Sequence, residues 1–249
     1  MKLIRKSIIC IIAAVAALTS CKEDNTLQYN NYTMGNVVDG TFTSDQGNIF
    51  NVVEQNCAGD LTSLKRAIVL CDVLNKVEGS DNEYDVRLNG MASVLDKAPI
   101  TEAEAEADEE KTVEDPVTIQ DNWIAGGYIN MYVKLPYKQS SKTIHEINLI
   151  KIETKDGYAF RLVHNANGET MTDSTMYDFV EGGGYFSFPI SSIITEEEAR
   201  VRFEWKWYRV LGTSIDLNST DFYYTEFVYK KGYEHIPSGL SLASTVRAM

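Results

Sequence analysis

The chain has 249 residues, with 36 acids against 23 lysines and arginines, a formal net charge of −13, and 10% aromatic residues. That length suits two ordinary domains or one large β domain, and the aromatic content is ample for packed cores. The acidic balance repels phosphate backbones, which argues against a nucleic-acid partner, and it disfavours lying flat on an anionic membrane.

At the N-terminus, Lys2, Arg5 and Lys6 precede an apolar run from Ile8 to Leu18. At about 1.5 Å per residue this run makes roughly 16 Å of helix, far short of a hydrocarbon core of roughly 30 Å, so residues 1–20 read as an export signal. Leu18-Thr19-Ser20-Cys21 resembles the lipobox of bacterial lipoprotein precursors: an apolar residue, two small ones that fit the peptidase, and a thiol that accepts diacylglycerol. Cleavage there removes three positive charges and no acid, taking the net charge from −13 to −16, so lipid on Cys21 must supply the membrane anchor. Lys22-Glu23-Asp24 resembles the short signal that sends some lipoproteins of Gram-negative anaerobes to the outer face of the outer membrane; a solvated start to the tether is the other reading. Residues 21–33, polar and rich in asparagine, read as a flexible tether.

Strand patterns follow. Val37 to Phe42 and Ile49 to Glu54 flank the polar turn Ser44-Asp45-Gln46-Gly47 and predict a hairpin. Arg66 to Leu74 is a dense apolar run of strand length, Tyr84, Val86 and Leu88 alternate with polar residues, and Val94-Leu95 completes four or five strands. Such a set predicts a small closed barrel over residues 34–97. With Cys10 lost and Cys21 lipidated, Cys57 and Cys71 remain. If residues 48–56 and 65–74 pair as antiparallel neighbours, the two lie farther apart than the roughly 7 Å a disulfide spans between Cα atoms, which favours two free, mostly buried thiols.

Between Thr101 and Asp115 eight acids stand against one lysine, with no apolar face, so residues 98–116 read as a solvated acidic linker. Beyond it, Ile129, Met131, Val133 and Leu135 alternate with Tyr128, Asn130, Tyr132 and Lys134, and Val201, Phe203, Trp205 and Trp207 alternate with charged residues. Further strands are expected near Ile144 to Ile152, Tyr158 to His164, Tyr185 to Ile190 and Phe222 to Tyr229, with turns at Asp156-Gly157 and Gly182-Gly183-Gly184. Six or so such strands predict an antiparallel β-sandwich over residues 117–232, followed by a fraying tail over 233–249.

The order of lipobox, glycine-bounded Asp-Gly hairpin, KRAIVLCDVLN strand and WIAGGYINMYVKL resembles the NigD-like lipoproteins. The resemblance implies an all-β protein with an N-terminal OB-like barrel and a C-terminal β-sandwich. The family takes its name from a bacteriocin-associated operon, which points to immunity or interaction at the envelope, and it brings no catalytic residues to assign.

His145, His164 and His235 have no metal-ligand spacing and read as surface or strand-face residues, and no nucleophile elbow or phosphate loop occurs, so no metal or cofactor is expected. Trp205 and Trp207 share parity with Val201 and Phe203 and read as core. Trp123, before Ala125-Gly126-Gly127, together with Tyr128 and Tyr132 on the polar face of their strand, forms the candidate ligand or partner surface. Asp216, Asn218 and Asp221 read as a capped polar turn, with a cation site as the sharper alternative. The reading that results is a non-catalytic outer-membrane lipoprotein facing a protein or glycan partner. A structural accessory of an envelope complex is the alternative, and a carbohydrate-active enzyme comes third.

Overall fold

The computed structural model describes residues 32–231 except 139, 173 and 174. The export signal, Cys21, nearly all of the tether, the tail and His235 lie outside the described residues. Among those described, no helix is long and apolar enough to cross a membrane.

Five strands close a barrel. These are β1 (Thr33–Val38), β2 (Thr41–Ser44), β3 (Ile49–Gln55), β4 (Arg66–Lys76) and β5 (Glu83–Ser93), in the order β1-β2-β3-β5-β4. The expected strand from Val37 to Phe42 is broken in two. Asp39 (φ 51°) and Gly40 (φ 81°) both take the left-handed conformation that a two-residue hairpin turn requires, so β1 folds back on β2 at this point. In β4 the side chains alternate: Ala67, Val69, Cys71 and Val73 fill the barrel with Phe42, Phe50, Val86 and Leu88, whereas Arg66 and Ile68 point outward. Cys57 and Cys71 are both free. The strand pairing assumed for them is not the one present: β3 runs parallel to β5, and β5 separates it from β4. Burial pushes the Cys71 thiol up to about 12, far from the reactive thiolate.

Two sheets follow. β6 (Leu95–Asp96), β8 (Thr118–Ala125), β9 (Tyr128–Lys138) and β12 (Phe179–Pro189) form one, in the order β6-β12-β9-β8. β7 (Ile100–Thr101), β10 (Glu146–Ile152), β11 (Tyr158–Asn165), β13 (Glu198–Leu211) and β14 (Ser214–Lys230) form the other, in the order β14-β13-β11-β10-β7. Ile129, Met131, Val133 and Leu135 pack against Leu149, Phe160, Leu162 and Phe203 between the sheets, as their alternation requires. Trp205 joins the edge of that core, stacked on Phe203 and Tyr223, while Trp207 lies half-buried against Tyr208.

Two expectations are corrected here. The acidic stretch is part of the sandwich rather than a solvated linker. Ile100 and Thr101 pair with β10, and the short helix α1 (Glu102–Glu106) is started by a reciprocal capping box between Thr101 and Glu104. α1 sets Ala105, 2% exposed, against Ile150 and Val163 on the outer face of the five-stranded sheet. Polar contacts hold the stretch as well: Glu102 accepts from the Glu153 amide, Asp115 from the Ala166 amide, and Glu114 pairs with Arg161 and Lys206. Gly182 to Gly184, expected as a turn, lie within β12 and pair with β9. A Cβ on Gly183 would collide with the Tyr132 ring, so glycine stands there to admit an aromatic neighbour.

Candidate functional site

The expected surface residues Trp123, Tyr128 and Tyr132 lie on the side of the four-stranded sheet that faces the barrel. Gly126 (φ 62°) and Gly127 (φ 79°) turn β8 into β9, so Trp123 belongs to a strand of its own rather than preceding one. Trp123 is 2% exposed, which corrects the expectation of an open ring; it packs with Met34, Ile68, Val94, Ala125 and Tyr185. Tyr132 lies against Tyr185, ring centroids 4.7 Å apart, over the space that Gly183 leaves. Tyr128 covers a guanidinium, that of Arg66, whose Cζ is 4.0 Å from the ring centroid.

Arg66 is the hub of the junction. Its Nη2 and the Asp45 carboxylate approach to 2.6 Å, with the two side chains 0% and 1% exposed. Nη1 donates to Asp45 Oδ1 and to Asn36 Oδ1, both at 2.9 Å. Nη2 also donates to Asn130 Oδ1 at 2.8 Å, and Nε donates to Ser187 Oγ at 2.8 Å. All five guanidinium protons are therefore used, three on the barrel and two on the sheet. Ser187 donates to Asn130 Oδ1 at 2.7 Å, and the Asn130 amide donates to the Ala125 carbonyl. Gly126 comes so close that a Cβ there would overlap Asp45 Oδ1. Burial pushes the Asp45 carboxyl up and outweighs the pull of Arg66 in the other direction. With all five guanidinium protons used inside the protein, this cluster joins two parts of one chain.

A second buried polar cluster lies at the end of the sandwich. His145 and His164 are each 1% exposed, so neither is a surface residue; His164 lies on a face of β11, and His145 directly precedes β10. Their ring nitrogens meet at 3.0 Å, His164 Nδ1 lies 3.2 Å from the Pro116 carbonyl, and His145 Nε2 lies 3.5 Å from Glu169 Oε2. Burial holds both imidazoles below their ordinary value, His164 at about 3.

The open polar surface is the outer face of the five-stranded sheet beyond α1. Arg202 lies 3.9 Å over the Tyr224 ring, Arg161 lies 4.7 Å over Phe222, and Glu204 bridges both arginines. Tyr224 is 55% exposed, and Phe222 and Val228 stand beside it on β14. Next to this row a trough of about 510 Å³ crosses three strands, bordered by Asp156, Ala159, Arg200, Arg202 and Glu226. Asp221 accepts two hydrogen bonds from Arg209 at 3.0 Å, and Asp216 accepts from the Asn218 amide, but all three residues lie within β14, where the pairing with β13 shifts register, rather than in the expected turn.

Arg66, Asp45, Asn130, Ser187 and the histidine pair were all missed as a group. The available signal was an arginine opening an otherwise apolar strand and an asparagine among tyrosines on one face.

Residues 99–219 match the family model described as the NigD-like C-terminal beta sandwich domain. Solved structures resemble the fold over most of the chain. A Bacteroides vulgatus protein of unknown function is 17% identical at a TM-score of 0.58, covering 85% of this chain and 96% of its own. A NigD-like immunity protein from Bacteroides caccae is 17% identical at 0.53, covering 83% and 96%. A Bacteroides fragilis protein described as a candidate lipoprotein is 16% identical at 0.55, covering 80% and 97%. At these identities the likeness is one of fold. No curated protein matches this chain.

Proposed function

We propose that this chain, a NigD-like protein by the sandwich it carries, is a lipid-anchored envelope protein that binds a protein partner in an immunity-like, non-catalytic role. The observation that carries this reading is the contrast between a closed junction, whose guanidinium is fully paired, and an open face. Arg66 joins barrel and sheet, and the aromatic row of β14 remains uncovered among the described residues. Half-exposed aromatics backed by arginines are the residue types that dominate protein interfaces. The lipobox residues ending at Cys21 supply the anchor, and one similar structure is described as an immunity protein.

A second reading, an accessory of a larger envelope complex, is favoured by β14 itself. It runs for 17 residues and, among the described residues, pairs only with β13. A long free edge is a template for another strand.

The test has two arms in the native host. Cys21→Ala should move the protein from the membrane fraction to the soluble fraction; retention in the membrane would refute the anchor. A photo-crosslinker at Tyr224 should capture a discrete envelope protein, and the same probe at Asp81 on the barrel should not. Capture only when β14 edge residues carry the probe, by a strand-forming neighbour, would favour the accessory role.

A further inference from the structure

The histidine cluster has a proton deficit that follows from its geometry. Three contacts run in one line: Glu169 Oε2 to His145 Nε2, His145 Nδ1 to His164 Nε2, and His164 Nδ1 to the carbonyl of Pro116. Both ends of the line are acceptors. Three such contacts need three protons, and two neutral imidazoles carry one N–H each. If His164 Nδ1 donates to Pro116, then His164 Nε2 accepts from His145 Nδ1, and His145 Nε2 turns a lone pair toward a carboxylate. Reversing both tautomers only moves the deficit to Pro116.

The distances say where it falls. They are 3.0 Å between the rings, 3.2 Å at Pro116 and 3.5 Å at Glu169, so the longest contact is the one at the carboxylate. The groups around it keep Glu169 charged. Its Oε2 accepts from the Lys138 amide at 3.2 Å, and the Ser141 and Thr143 hydroxyls help hold its carboxyl below the ordinary range. The other charged group facing His145 is the Asp115 carboxylate, which accepts from the Ala166 amide. From β11 and β13, Arg161 and Lys206 turn to Glu114, and Tyr208 donates its hydroxyl to the Met171 carbonyl. No cation therefore competes for Glu169 among the described residues.

We propose that His145, His164 and Glu169 form a proton-operated latch, in which the first proton taken up on acidification lands on His145 Nε2 and fastens Glu169 to the start of the β10 region. The proton comes from solvent, and no other bond is made or broken. The uptake turns a lone-pair contact into a charge-assisted hydrogen bond, completing all three links. Its mechanical consequence is local. Glu169 sits in the turn after β11 and also holds the end of β9 through Lys138, so the latch ties three segments at one end of the sandwich. Because burial keeps both imidazoles neutral at neutral pH, the latch is short of its proton there and completes it on the acid side.

The test is nitrogen NMR of the histidine rings between pH 7.5 and 4.5 on the wild-type chain and on Glu169→Gln. In the wild type, His145 Nε2 should shift from lone pair to protonated while His164 keeps its tautomer. In Glu169→Gln, which lacks the counter-charge, the His145 midpoint should fall by at least about one pH unit. The proposal is overturned if His164 takes the first proton, if neither ring changes by pH 4.5, or if the variant titrates like the wild type. The wild-type spectra decide the order of protonation even if the variant does not fold.

Discussion

Arginine, carboxylate and tyrosine meet twice in this molecule, once in the junction and once on the outer face, with opposite consequences. At the junction, Arg66 and Asp45 are closed off beneath the half-buried Tyr128 ring, and the ion pair spans 2.6 Å with side chains 0% and 1% exposed. On the outer face, Arg202, Glu204 and Tyr224 make the same three-part contact at 3.2 Å, with the arginine side chain 41% and the glutamate 12% exposed. Water can replace either partner on the outer face, so that pair is cheap to open and can be exchanged for contacts with another molecule. At the junction nothing can replace a lost partner. The pair need not add much net stability, but removing one half leaves a buried charge alone.

Arg66→Met should therefore give the largest loss, about 3–5 kcal/mol measured by denaturant unfolding, because Asp45 is left uncompensated. A loss below about 1 kcal/mol would place this pair with the exposed one. The buried histidines extend the contrast to pH. His164 titrates at about 3 in the folded protein, below its ordinary value, so the unfolded chain binds a proton that the folded chain refuses. Its contribution is fully present above about pH 6.5 and declines as pH falls toward 3, at about 1.4 kcal/mol per pH unit. Between pH 6.5 and 4.5 stability should drop by about 2–3 kcal/mol, with His145 adding in the same direction; a flat profile would mean that water reaches the pair. Gly183→Ala probes the tyrosine side of the junction. The added methyl meets the Tyr132 ring, and a loss of about 1–3 kcal/mol is expected from overpacking. Arg202→Ala should change stability by less than about 1 kcal/mol while weakening partner capture at Tyr224.

How far the sequence could be read follows from the same contrast. Alternation along β9 and β13 disclosed which side chains face the sandwich core, and Ile129, Met131, Val133, Leu135, Val201 and Phe203 all do. It also placed Tyr128, Asn130 and Tyr132 together on the other face. Period-two patterning separates two faces, but it does not say whether the second meets water or the barrel. The partners that decide this are distant in sequence: Arg66 and Ser187 are 121 residues apart, and Arg66 and Asn130 are 64 apart. Gly183 misled for a related reason, since its need arises from Tyr132 across the sheet rather than from a turn. The acidic stretch hid a capping box and one buried alanine, which are too few apolar atoms to register as a face.

Calorimetry of the wild-type chain beside Arg66→Met at neutral pH tests most directly whether barrel and sandwich hold together through this buried charge. Joined modules predict a single transition in the wild type, and in the variant two separated transitions or one at a markedly lower temperature. A variant that keeps one transition at the wild-type temperature would contradict it.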